Sequence, residues 1–150
     1  MPITLEELRA VLSSDEPDYA AIAQMLDVPA VGHLQTLAHD PDVMLATKAV
    51  YAASLVPGSQ SEAVVAEAAD SSEPLLRIAS ASALVNLPET SRNRVAEHLI
   101  DDADVSVKKL VIKSLSGPVT PRLRDRLDQL ASAGETPLIR QLAQDTLGES

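Results

Sequence analysis

The sequence predicts an all-α protein, a right-handed α-solenoid of about ten helices arranged as antiparallel pairs in one domain over residues 1–150. Three observations carry that prediction. Helix starts and stops recur along the whole chain, and a turn-and-helix layout returns about every 30 residues. No segment alternates apolar and polar residues as a half-buried strand would. Composition agrees, because the chain is 45% hydrophobic yet has no Phe and no Trp, and Tyr19 and Tyr51 are its only aromatic side chains. A core of Ala, Leu, Val and Ile suits close helix packing and suits a sheet poorly, since strands favour aromatic and β-branched residues.

Residues 1–28 read as an N-terminal capping pair, with helices over about 4–14 and 17–27. Met1 reads as a natural start. Thr4 and Glu7 make a capping-box pair and Ile3 with Leu8 a hydrophobic staple, so the first helix begins near residue 5. Four repeats follow over 29–149. Their leading helices run over about 29–39, 60–70, 89–101 and 121–133, and their second helices lie within 40–55, 71–87, 102–117 and 134–149. Ser59 and Glu62 supply another capping-box pair. Asp40-Pro41, Thr120-Pro121 and Thr136-Pro137 each place a capping side chain before a proline at the first helical position, where its missing N–H costs nothing. Stops fall at Pro57-Gly58, Gly117-Pro118, Gly134 and Gly148.

The leading helices carry apolar stripes at Leu34, Leu37 and Ala38, at Val64, Val65 and Ala68, at Val95, Leu99 and Ile100, and at Leu123, Leu127 and Leu130. Arg92, Arg94 and Glu97, then Arg122, Asp125, Arg126 and Gln129, take the opposite faces. One helix pair cannot hide such a stripe alone, so stacked neighbours make a continuous core. The last helix holds Leu138, Ile139, Leu142, Ala143, Thr146 and Leu147, with a partner helix on one side only. If its uncovered side is apolar, a homo-dimer through this terminal repeat follows.

The second-helix segments share one layout: a polar turn, an apolar residue followed by a basic one, then small or apolar residues running to a Leu. The basic residues are Lys48, Arg77, Lys108 and Arg140, spaced 29, 31 and 32 apart. Over about residues 29–149 this layout resembles the HEAT-repeat family, whose second helix reads apolar-Arg-x-x-Ala-x-x-Ala-Leu. The best matches are Leu76-Arg77-Ile78-Ala79-Ser80-Ala81-Ser82-Ala83-Leu84 and Val107-Lys108-Lys109-Leu110-Val111-Ile112-Lys113-Ser114-Leu115. The resemblance implies an inner face made of second helices. It also implies a polar ladder between repeats, fed by an Asp six residues before the basic position. Asp42 before Lys48 and Asp102 before Lys108 have that spacing, whereas Ser71 and Gly134 stand at the other two places, so the ladder is incomplete.

Charge and composition exclude several functions. Without cysteine there are no disulfides, thiolate metal sites or thiol nucleophiles. Net charge is −10, and all of it falls on residues 1–75, which hold 12 acidic and 2 basic side chains. An acidic chain repels phosphate backbones, so nucleic acid is not an expected partner. No apolar run approaches membrane-spanning length and the N-terminus lacks signal-peptide character, so a cytoplasmic protein with no membrane contact is expected. His33 and His39 are six apart and share no metal-binding helical spacing with each other, and His98 stands alone, so no metal is expected. His39, beside Asp40, reads as a capping residue. Asp101, Asp102 and Asp104 read as turn and cap residues, because a calcium loop needs more ligands and a bidentate Glu. No glycine-rich phosphate loop is present and no cofactor is implied.

The candidate site is therefore a surface. Tyr51, Arg77, Lys108, Lys109, Lys113 and Arg140 are the candidate partner-binding residues. Arg77, Lys108 and Arg140, with Lys48, read either as ladder residues or as an inner-face strip for an acidic partner. Lys109 and Lys113, four apart on one helix face, read either as a solvated face or as a contact for an acidic segment. Tyr51 reads either as an interface anchor or as a wedge between repeats. The expected function is a non-catalytic protein–protein interaction scaffold or adaptor, not an enzyme, holding its partner on the inner face. The alternatives are an enzyme or enzyme subunit on the same scaffold, or a self-assembling structural protein. Among enzymes resembling HEAT arrays, an iron hydroxylase kind uses His-Glu dipeptides, and this chain has only the reversed Glu97-His98. A glycosylase kind uses a basic, aromatic-lined groove, which pI ≈ 4.6 and no Trp do not suggest. A phycobilin lyase subunit is the remaining example.

Overall fold

The computed structural model describes residues 3–149; Met1, Pro2 and Ser150 lie outside the described residues, as do the side chains of Val28 and Glu149. Ten α-helices follow one another among the described residues: α1 (Leu5–Leu12), α2 (Tyr19–Met25), α3 (Val28–Leu37), α4 (Val43–Ser54), α5 (Ser59–Ala69), α6 (Pro74–Ala83), α7 (Glu89–Leu99), α8 (Val105–Ser114), α9 (Pro121–Ala133) and α10 (Pro137–Glu149). A 3₁₀ turn, Leu84–Asn86, extends α6. The all-α solenoid is the observed architecture. Helices α3 and α4, α5 and α6, α7 and α8, and α9 and α10 pack as pairs, while α1 lies against α3 and α4, and α2 against α4.

The second helices α4, α6, α8 and α10 touch in series and lie closer together than the leading helices, so the array curves towards them. Small side chains allow that approach. Ala46, Ala49, Ala52 and Ala53 on α4 and Ala79, Ala81 and Ala83 on α6 are all buried, and helix separation follows side-chain size at the contact. One core cluster runs from Leu8 to Ala143 through the expected stripes. Fully buried leucines such as Leu34, Leu37, Leu99, Leu123 and Leu127 contribute about 1.5–3 kcal/mol each. Buried Ser80 donates to the Val65 carbonyl at 2.9 Å, linking α6 to α5.

Caps explain most helix starts. The Thr4–Glu7 capping box forms, with Glu7 N–H to Thr4 Oγ1 at 3.1 Å. Asp18 and Asp27 cap α2 and α3, and Thr120 caps α9 ahead of Pro121. Other local expectations are corrected. The cap of α4 is Asp42, not Asp40, because Asp40 sits a turn earlier and accepts the Asp42 N–H at 2.9 Å. Ser59 is the first residue of α5 rather than its cap; Gly58, at φ +125°, takes the cap position in a backbone state that other residues adopt poorly. Gly148 lies inside α10 and stops nothing. Arg92 does not face solvent: it is buried, because the α8–α9 connection folds over it. Its Nη1 donates to the Ser116 carbonyl at 2.8 Å and its Nη2 to the Pro118 carbonyl at 3.0 Å.

No helix among the described residues is long and apolar enough to cross a membrane. Gln141 and Asp145 stand exposed on α10 and bond each other at 2.8 Å, while Gln144 turns back to α9 and donates to the Ala131 carbonyl at 2.9 Å. The condition attached to a dimer through this helix is met only at Leu138, which is half exposed.

Candidate functional site

The caps align the repeats. Asp42, Glu73 and Asp104 precede α4, α6 and α8, and Thr136 precedes α10, accepting the Ile139 N–H at 3.1 Å. Counted from these residues, Met44, Leu75, Ser106 and Leu138 are equivalent. So are Thr47, Ile78, Lys109 and Gln141, and likewise Tyr51, Ser82, Lys113 and Asp145. Residues two, five and nine after the cap share one side of a helix. That side is the inner face of the array.

The basic column is then Arg77, Lys108 and Arg140, with Ala46 in the earliest repeat; Lys48 lies two residues out of register. Each member bonds to a turn. Arg77 Nε donates to Asp102 of the following repeat at 2.8 Å and Nη1 to the Ser71 carbonyl at 3.0 Å. Lys108 pairs with Glu135 of the following repeat at 2.9 Å and holds that carboxyl below its usual range. Arg140 Nη1 donates to the Gly134 carbonyl at 2.8 Å. At the N-terminal end Arg9 pairs with Asp40 at 2.7 Å. The Asp42 N–H and then Arg9 hold the Asp40 carboxyl below its ordinary value. So Asp102 feeds the ladder as its spacing implies, and Asp40 rather than Asp42 does so two repeats earlier.

Tyr51 is half-buried on the inner face, with Tyr19 edge-on to it at a ring-centroid distance of 4.7 Å. The two rings, with Thr47, Lys48, Ala79 and Ser82, line an open groove of about 310 Å³ between α2, α4 and α6. Lys48 Nζ donates to the Ser14 carbonyl at 2.6 Å, using one of its three N–H groups. Burial, and then Tyr51, push the Tyr19 phenol above its ordinary pKa, so at neutral pH it is an uncharged hydroxyl able to donate a hydrogen bond. Lys109 and Lys113 continue the inner face beyond α6, half-buried and exposed respectively. Neither has an ion-pair partner among the described residues. The structure thus brings Tyr51 together with Lys48 and Tyr19, and keeps Arg77, Lys108 and Arg140 in the ladder.

A second pocket, of about 270 Å³, opens on the other side between α3 and α5, over Ala38, Val64, Ala68 and Leu76. His39 on its rim meets Glu67 at 2.6 Å rather than capping a helix. Asp70, also on the rim, meets His98 at 2.6 Å. No group of three or more potential metal ligands occurs among the described residues. Sequence reasoning missed Tyr19, because its helix was read as a separate cap, although two lone tyrosines in neighbouring helices were a signal for the pair.

The chain is similar, with a TM-score of 0.75 and 20% identity, to a chain in the structure of the complex of CpcE and CpcF of phycocyanin lyase from Nostoc sp. PCC7120. The likeness covers 95% of this chain and 97% of that one. No protein-family model matches this chain, and no curated protein matches it. At this identity the likeness carries the fold, a HEAT-like helical repeat. It corrects two expectations drawn from sequence, a non-catalytic scaffold and a protein that is not an enzyme. A helical array of nearly the same length serves in a lyase complex, so a chain without an evident catalytic constellation is not thereby a mere adaptor.

Proposed function

We propose that this chain belongs to the HEAT-repeat family and is one subunit of a two-subunit lyase of the phycobilin lyase kind, acting on a pigment carried by a protein. The observation that carries the reading is the end-to-end likeness to a chain of the CpcE–CpcF complex. The inner groove supports it chemically. A linear tetrapyrrole is flat, conjugated and carries carboxylates. The groove offers two tyrosine rings, the apolar Ala79 wall and the Lys48 ammonium, whose unused N–H groups suit a carboxylate. The protonated Tyr19 hydroxyl adds a donor for a pigment carbonyl. The second subunit presents an acidic segment to Lys109 and Lys113.

Titration of the purified chain with a free linear tetrapyrrole, followed by visible absorption and fluorescence, tests the pigment half. Saturable spectral change is expected, reduced in Tyr51→Ala and in Lys48→Glu. A second arm follows pigment attachment to, or release from, a phycobiliprotein subunit. A chain that changes neither the spectrum nor pigment attachment, alone or with a helical-repeat partner, rules the reading out.

A further inference from the structure

Three of the five large apolar side chains that stand exposed among the described residues share one position; Met25 and Val85 lie elsewhere. Met44, Leu75 and Leu138 are 56%, 43% and 49% exposed, and they occupy one register position, two residues after the cap of α4, α6 and α10. A single exposed apolar side chain needs no explanation. Three at one structural position form a row across the inner face, which packing within the array does not require. The row is broken once, at Ser106 on α8. One turn further along that helix stands Lys109, followed by Lys113, both without an ion-pair partner among the described residues. Residues 76–150 are neutral overall, with 10 acidic and 10 basic side chains, and here two ammonium groups share one helix face.

The spacing matches a helix. Second helices packed side by side lie about 8–10 Å apart, and an α-helix advances about 10.5 Å in seven residues. After seven residues it presents nearly the same face again. A helix laid across α4, α6, α8 and α10 therefore meets one repeat per heptad.

We propose that this row docks an amphipathic helix of the partner subunit. That helix presents apolar side chains to Met44 and Leu75 at two successive heptad positions, an acidic side chain to Lys109 and Lys113 at the third, and an apolar side chain to Leu138 at the fourth. The proposal rests on the partner half of the function above and not on its pigment half. A neutral or basic third position leaves the two lysines desolvated without a counter-charge, so the charge selects the partner and its direction along the groove.

The test uses the full chain and a fluorescein-labelled synthetic helix of four heptads, about 28 residues, with Leu at the first, second and fourth heptad positions and Glu at the third. Anisotropy is expected to show saturable binding. Changing the peptide Glu to Lys weakens it by roughly fivefold, and Lys109→Glu/Lys113→Glu in the protein restores affinity for the Lys peptide. Leu75→Ser weakens both peptides, with circular dichroism confirming unchanged helix content. No saturable binding, or equal affinity for the Glu and Lys peptides, overturns the proposal. Because no pigment is present, these results are independent of the tetrapyrrole titration.

Discussion

Arg92 shows how much one side chain can hold. Its guanidinium, 7% exposed, bonds the Ser116 and Pro118 carbonyls and the Asn93 side chain, tying the α8–α9 connection down from beneath. Arg92→Ala takes the donor from the Ser116 carbonyl and leaves Asn93 Nδ2 alone on the Pro118 carbonyl, and is expected to cost about 1–3 kcal/mol in urea unfolding. Arg92→Lys recovers little of this, because one ammonium cannot reproduce the planar fork. A second residue-scale prediction concerns acid. Asp40 has its carboxyl below the ordinary value of 3.8, so it binds a proton more readily in the unfolded chain. Its contribution is therefore present above the ordinary carboxylate range and is lost as pH falls through the lowered folded value. Asp40→Asn should be less stable than wild type at neutral pH, with the gap narrowing as pH falls below the ordinary carboxylate range, as urea melts across that range would read.

At the scale of elements, two glycines give opposite expectations. A Cβ on Gly134 would lie 2.7 Å from the Leu130 carbonyl oxygen and 2.8 Å from Ile139 Cγ2, where α9 turns into α10. A Cβ on Gly32, inside α3, would meet nothing within 4 Å. Gly134→Ala should destabilise by about 1–3 kcal/mol through overpacking, while Gly32→Ala should stabilise by about 0.5–1 kcal/mol through helix propensity. Thermal melts of the two variants check both signs. Helices were legible in the sequence because their caps, prolines and apolar periods are local signals. Thr4 and Thr120 do locally what their sequence neighbours imply. Asp40 misled because it bonds a backbone N–H one step before the helix begins, a distinction of two residues that only the turn geometry makes. Arg92 misled because helical periodicity places it outward, and the loop that buries it comes 24 residues later. The inner-face row stayed hidden for a related reason: aligning the repeats on Lys48 rather than on Ala46 shifts α4 by half a turn and scatters Met44 from Leu75. The groove needed three dimensions, since Tyr19 and Tyr51 meet across separate helix pairs.

Across the whole molecule, the ladder is uneven. Arg9–Asp40, Arg77–Asp102 and Lys108–Glu135 each clasp adjacent helix pairs. Between the α3–α4 and α5–α6 pairs the column offers Ala46 and Ser71 instead, and the pocket over Val64 and Ala68 opens at this same junction. Ala46 lies buried in the close α4–α6 contact, so Ala46→Arg should overpack it and lower the melting temperature in a thermal melt rather than supply a ladder pair. The consequence is one of load sharing. With no column pair at this junction, its closure falls to the close α4–α6 contact on the inner side and to the exposed His39–Glu67 pair on the pocket rim. Salt screens exposed ion pairs but not buried apolar contacts, so high salt should loosen the α3–α5 side of this junction before the α4–α6 side.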